Sequence, residues 1–173
     1  MLNYKLEQLK KITLLFLVIS LNCFCQRTGI TKESLLNAFA NTITKSKDGK
    51  IDLDGSPWFT DNTNLKYYKN DTITFFNARS FKRDYCKIIN WRFYEKNKFA
   101  IGDENSCDEP PTQKITTPES WIEIKFHRRK EQMIIELINQ NKVIEKFKVL
   151  ELSKTKSIYN DGEYDLSLKL LRL

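Results

Sequence analysis

From about residue 50 to its end this chain has a hydrophobic period of two, and that constrains its fold more than any other feature. β-prone runs recur between polar connectors: Ile51–Leu53, Leu65–Tyr68, Thr72–Phe76, Cys86–Tyr94, Phe99–Ile101, Trp121–His127, Met133–Ile138, Val143–Leu150 and Tyr164–Leu173. Successive side chains of a strand point to opposite faces. Tyr164, Leu166, Leu168 and Leu170 therefore share one face, and Ile122, Ile124 and Phe126 lie opposite Trp121, Glu123, Lys125 and His127. In the same way Ile89, Trp91 and Phe93 oppose Cys86, Ile88 and Asn90. The connectors at 95–98, 128–131 and 139–141 are hairpin-sized, which predicts an antiparallel meander.

A meander of this length leaves long unpaired edges unless it closes or is covered. The expected fold is therefore mainly β, closing into a barrel or half-barrel. An eight-stranded barrel is just wide enough to be filled by side chains or to hold one small ligand. A helix is expected over about 32–44, where Leu35, Leu36, Phe39 and Ile43 fall at helical spacing behind Thr31 as N-cap. It can plug one end of the barrel. The alternative is an α+β fold with this helix packed on an open antiparallel sheet.

Residues 1–25 read as a signal peptide in front of one domain at 26–173. Lys5, Lys10 and Lys11 form a basic n-region, Ile12–Leu21 an apolar run, and cleavage falls between Cys25 and Gln26. The apolar run is about half of the roughly 20 residues that a spanning helix needs. Two alternatives stay open: lipidation at Cys23 within Ser20-Leu21-Asn22-Cys23, and an uncleaved anchor. All three export the domain, as a periplasmic or extracellular protein or one lipid-anchored to the envelope.

Two cysteines, Cys86 and Cys107, then remain in the domain, and in an oxidising compartment an even pair is expected to be bridged. The leader's lysines and Glu7 carry two of the seven net positive charges, which leaves a mildly basic domain without the footprint of a nucleic-acid binder. The densest basic cluster, residues 127–130, reads as a solvated hairpin turn. His127 is the one histidine, and it sits in that cluster rather than beside a nucleophile. Five glycines cannot supply a phosphate-cradling loop, and two cysteines with one histidine do not make a metal site. The acidic stretch 102–111 lacks the ligand interval of a calcium loop and reads as a hydrated loop pinned at Cys107. No catalytic set, cofactor or metal is expected.

With the strands placed, Cys86 is followed by Trp91 and Phe93, then Asn97 and Phe99, then Cys107, then the Trp121-led strand, and finally Tyr164, Leu166 and Leu168. Over residues 51–173 this series resembles small exported bacterial lipocalin-like domains. The resemblance implies a non-enzymatic protein that binds a small hydrophobic ligand inside its barrel; the aromatics concentrated in the central strands, Trp91, Phe93 and Trp121 among them, either fill the core or line such a cavity. One departure concerns the first strand, where such domains have Gly-x-Trp and this chain has Gly55-Ser56-Pro57-Trp58. A proline inside a central strand removes a ladder donor and puts closure in question. The alternative function is a protein-interaction module, an inhibitor or envelope-assembly component, that uses a sheet surface over a filled core. Nucleic acid is not an expected partner, and a membrane is one only for a lipid-anchored form.

Overall fold

The structure is a computed structural model that describes residues 29–45, 48, 50–52, 56–77, 85–113, 117–157 and 164–173. The leader, the Cys25/Gln26 cleavage point and Cys23 lie outside the described residues. In chain order the elements begin with α1 (Lys32–Ala40), β1 (Thr44–Lys45), β2 (Ile51–Asp52) and β3 (Trp58–Asp61). A 3-10 turn (Thr63–Leu65) and α2 (Lys66–Lys69) lead to β4 (Thr72–Asn77), β5 (Lys87–Glu95), β6 (Lys98–Asn105) and β7 (Thr112–Gln113). The chain then forms β8 (Trp121–Arg129), β9 (Gln132–Asn139), β10 (Lys142–Lys156) and β11 (Tyr164–Arg172).

Eight of these strands close an antiparallel barrel in the order β3-β5-β6-β8-β9-β10-β11-β4, with β4 returning to β3. Among the described residues β1 and β2 pair only with each other, and β7 adds a short ladder to the end of β6. From β5 to β11 each barrel strand pairs with the next one in the chain, which is the expected meander. The first two barrel strands are interleaved: β3 sits between β4 and β5, pairing Phe59 with Phe76 on one side and Trp58 with Trp91 on the other. β4 closes the ring against the final strand, from Leu166↔Asn77 to Leu171↔Thr72. Closure does not suffer from Pro57, because β3 begins one residue later. Asn77 Nδ2 donates to the carbonyl oxygens of Ser56 at 2.7 Å and Pro57 at 3.2 Å, tying that approach to the neighbouring strand.

Two expected elements differ. Leu65–Tyr68 is a turn and a short helix rather than a strand. Four residues carry too little periodicity to separate the two, and here Asp61 Oδ1 accepts from Thr63 N at 2.8 Å while Asn64 and Leu65 take left-handed backbone, φ 57 and 61, which no strand tolerates. The strand of this region is Trp58–Asp61 instead. The acidic stretch read as loop from Gly102 is strand through Asn105 and becomes loop only beyond it.

α1 forms where expected and is shorter. Thr31 and Ser34 make a reciprocal capping box, each side chain accepting from the other's backbone N–H. At the far end the Thr42 backbone N–H and hydroxyl both turn back to Phe39 O, at 3.1 and 2.7 Å, and the chain leaves through a β-branched run into β1. Leu35, Ala38 and Phe39 are the buried face, so Ala38 rather than Leu36 completes it.

That face plugs the barrel. Phe39 stacks on Phe93 at 4.3 Å, Phe93 lies 5.2 Å from Phe99, and Phe99 stacks on Trp91 at 4.5 Å. Trp91 meets Phe75 at 4.2 Å, and Phe75 meets Tyr67 of α2 at 6.1 Å. The column runs from the α1 end, here the mouth, to the α2 end, here the base. Ile122, Ile124, Ile135, Leu137, Phe147, Leu168 and Leu170 surround it, each buried.

A polar clasp closes the base. The Tyr67 hydroxyl donates to Glu145 Oε2 at 2.9 Å, Arg172 Nη1 lies 3.3 Å from Glu145 Oε1, and Arg172 Nη2 donates to Tyr67 O at 2.6 Å. Cys86 and Cys107 are joined by a disulfide nearby, tying the start of β5 to the loop after β6. Burial pushes the Tyr67 phenol well above its usual pKa of 10, and the Glu145 carboxylate adds to this.

Phe39→Ala should remove the plug's largest contact and cost about 3–5 kcal/mol, read as a lowered urea midpoint. Because the Tyr67 phenol is neutral and its folded pKa is raised, the stability it contributes is complete below pH 10 and is lost as pH rises through the raised value. Urea unfolding between pH 9 and 12 should therefore show a steep loss of stability in the native chain and a shallower one in Tyr67→Phe.

Candidate functional site

The mouth is where the barrel wall stops being even. β4 ends at Asn77 opposite Leu166, and β9 meets β10 no further along than Ile134 opposite Lys148. Beyond those points β10 and β11 continue as a two-stranded ribbon, pairing Thr155 with Asp165 and Lys156 with Tyr164. The ribbon overhangs the mouth, braced by a 2.6 Å contact between the Ser153 and Ser167 hydroxyls. Side chains that would face the core lower down face a space here.

Helix α1 forms the opposite wall. With Leu35, Ala38 and Phe39 committed to the core, helical geometry turns Ser34, Asn37 and Asn41 toward the ribbon. Between helix and ribbon lies a half-open cleft of about 490 Å³, whose ribbon wall is Leu152, Ser153, Lys154, Tyr164 and Leu166 and whose floor is Asn77 and Ala38. Its volume falls within the range of small-molecule pockets.

The cleft is amphipathic and carries one charge. Leu152 and Leu166 pack on the core below, whereas Asn37, Asn41 and Asn77 give the upper wall amide donors and acceptors. The Lys154 ammonium stands 4.3 Å from the centre of the Tyr164 ring and has no carboxylate partner among the described residues. Tyr164 is 57% exposed, so this aromatic wall is open to a ligand. The arrangement can hold an apolar chain against Leu152, Leu166 and Tyr164 while a negative head meets Lys154.

The aromatic residues expected to line a cavity are elsewhere. Trp91 and Phe93 lie fully inside the stacked column. Trp121 is on the outer face, 41% exposed, in a T-shaped contact with Tyr94 at 5.2 Å. The three do not come together, and none of them lines the mouth cleft. The alternation of the Trp121 strand already set that residue opposite Ile122 and Ile124. Cys86 and Cys107 are brought together as expected. His127 is half-exposed on the outer face, 3.0 Å from Glu136 Oε2, and Lys146 Nζ approaches Glu136 Oε1 at 2.7 Å. The hydrogen bond from Lys146 and the charge beside it hold the Glu136 carboxyl below its usual range.

Sequence reasoning missed Asn37, Asn41, Asn77 and Lys154. A signal for the first two was present, since Ser34, Asn37 and Asn41 form a polar stripe at helical spacing beside the apolar one. Nothing in the sequence signals that β10 outlasts its neighbours.

No protein-family model, no curated protein and no solved structure matches this chain. Among the described residues no helix is long and apolar enough to cross a membrane, and no group of three or more His, Cys, Asp or Glu side chains is placed to hold a metal ion.

The three tryptophans give a direct check on these placements. Trp121→Phe should abolish most of the iodide-quenchable fluorescence and leave stability within about 0.5 kcal/mol, whereas Trp91→Phe should leave quenching intact and cost more than about 1 kcal/mol.

Proposed function

We propose that this protein is an exported, non-enzymatic, lipocalin-like binding protein whose ligand is a small amphiphile with an acidic head, held at the mouth rather than inside the barrel. The observation that carries the reading is the Lys154 ammonium beside Tyr164 on the wall of the half-open cleft, which has no carboxylate partner among the described residues. A charged group against an apolar wall favours a ligand that is apolar along its length and anionic at one end. The filled interior supports the choice of the mouth, since Phe39, Phe75, Trp91 and Phe147 occupy the axis. The disulfide is compatible with an oxidising compartment outside the cytoplasm. In this reading the fold stores or carries its ligand and changes no bond in it.

A second reading, a protein-interaction module, has one specific feature in its favour. Leu65, Tyr68, Val143, Ile144 and Leu173, each at least 45% exposed, follow one another around the base: the β3–β4 connection, the end of β11 and the start of β10. An apolar rim of this kind suits contact with a partner.

Isothermal titration with decanoate, decanol and decyltrimethylammonium tests the first reading. Decanoate should bind most tightly, Lys154→Gln should weaken it by about tenfold while leaving decanol unchanged, and Tyr164→Ala should weaken both. Equal binding of all three compounds, or decanoate affinity that survives both substitutions, would remove the mouth as the site. Loss of decanoate binding on Tyr68→Ser or Ile144→Ser, at the far end, would favour the second reading.

A further inference from the structure

The base of the barrel holds a second cavity, about 470 Å³, walled by Asn62, Asn64, Leu65, Lys87, Asp103 and Asn105. It shares no residue with the mouth cleft. Asp103 follows Phe99 and Ile101 at a period of two, so it continues the inward face of β6 past the apolar core. Lys87 precedes Ile89 and Trp91 on the inward face of β5 in the same way. The two opposite charges wall one cavity, yet no ion pair joins them, and neither has another charged partner among the described residues.

A third polar group there is also unsatisfied. Asn62 is 4% exposed, and its Oδ1 is buried without a hydrogen-bond partner. A buried acceptor left unpaired is costly, and natural structures rarely keep one without a reason. The backbone that carries it is fixed from several sides. Asn62 N donates to Lys87 O at 2.9 Å, and Leu65 N donates to Asn62 O at 3.0 Å.

The disulfide stiffens the opposite wall. Lys87 and Asn105 are register partners across β5 and β6, and Cys86 and Cys107 flank them. Ser106 N donates to Cys86 O at 2.6 Å, and Cys107 N donates to Asn105 Oδ1 at 3.0 Å. Both charged side chains therefore project from backbone held by ladder, loop and covalent bond together.

A ligand carrying only a positive charge would be drawn to Asp103 and repelled by Lys87, and an anion would meet the reverse. Only a ligand with both charges satisfies the two walls at once. We propose that the base cavity binds a small zwitterion of the α-amino-acid type, its ammonium on Asp103 and its carboxylate on Lys87. A free amino acid and a short peptide share this chemistry. The site is independent of the mouth reading, and the disulfide is its scaffold.

Amide chemical-shift titration of the oxidised protein with L-alanine, dialanine, methylammonium and acetate tests it. Saturable shifts at Lys87, Asp103 and Asn105 with L-alanine or dialanine are expected, with methylammonium and acetate weaker by about tenfold or more. The arm that saturates at the lower concentration tells free amino acid from peptide. Asp103→Asn and Lys87→Met should each weaken binding by about tenfold, and reduction of the disulfide should weaken it further. The double exchange of Lys87→Asp with Asp103→Lys keeps both charges in the cavity and should bind more tightly than either single variant. The proposal is overturned if neither zwitterion saturates, if a single-charge compound binds as tightly, or if all three variants lose binding equally.

Discussion

The ring-on-ring column from Phe39 through Phe93, Phe99, Trp91 and Phe75 to Tyr67 is the interaction on which the rest of this molecule depends. A small eight-stranded barrel must either enclose a ligand or be filled from its own walls. Here aromatic side chains from β4, β5 and β6 fill it, and both of its lids contribute a ring. α1 is consequently part of the core and not a decoration on it, because the barrel would lack its last layer without Leu35, Ala38 and Phe39. Each ring pair adds roughly 0.5–1.5 kcal/mol beyond the area it buries. The stack also fixes the axial position of the lids relative to the strands.

Filling the middle moves the chemistry to the ends. At the mouth the overhang of β10 and β11 opens an amphipathic cleft with one ammonium, and at the base two opposite charges wall a second cavity, none of the three ion-paired among the described residues. These polar groups are tolerable at the ends because the strands there emerge from the apolar layer. The same charges halfway along the barrel would meet the full desolvation penalty. The two ends differ in rigidity. A two-stranded ribbon forms the mouth wall, whereas strand pairing, a disulfide and the Tyr67–Glu145–Arg172 clasp hold the base.

Much of this was legible in the sequence, and the reasons are specific. The inward faces of the β5, β8 and β11 strands follow from alternation alone, although Ile88 and Asn90 on the outer face of β5 are buried as well. Thr31 as N-cap and the pairing of Cys86 with Cys107 follow from equally local rules. The interleaving of β3 between β4 and β5 was not legible, because pairing partners are set by which strands reach each other in space. Trp58 was hidden behind Pro57, which suggested a break where the structure has a strand start. The expected cavity aromatics show the same limit. The sequence identifies Trp91 and Phe93 as inward-facing but not whether their rings meet across the axis or leave a gap. Lys154 looked like any surface lysine until the overhang of its strand turned its inward position into a cleft wall.

The central claim is that the barrel is full and the ends are not, and xenon tests this most directly, since it enters empty apolar cavities inside proteins. Methyl shifts of the native protein under xenon pressure should stay unperturbed at Ile122, Ile135, Leu137 and Leu168, with any response confined to Leu152 and Leu166 at the mouth. A saturable xenon response at the four inner residues would mean a cavity on the barrel axis, and would contradict the account.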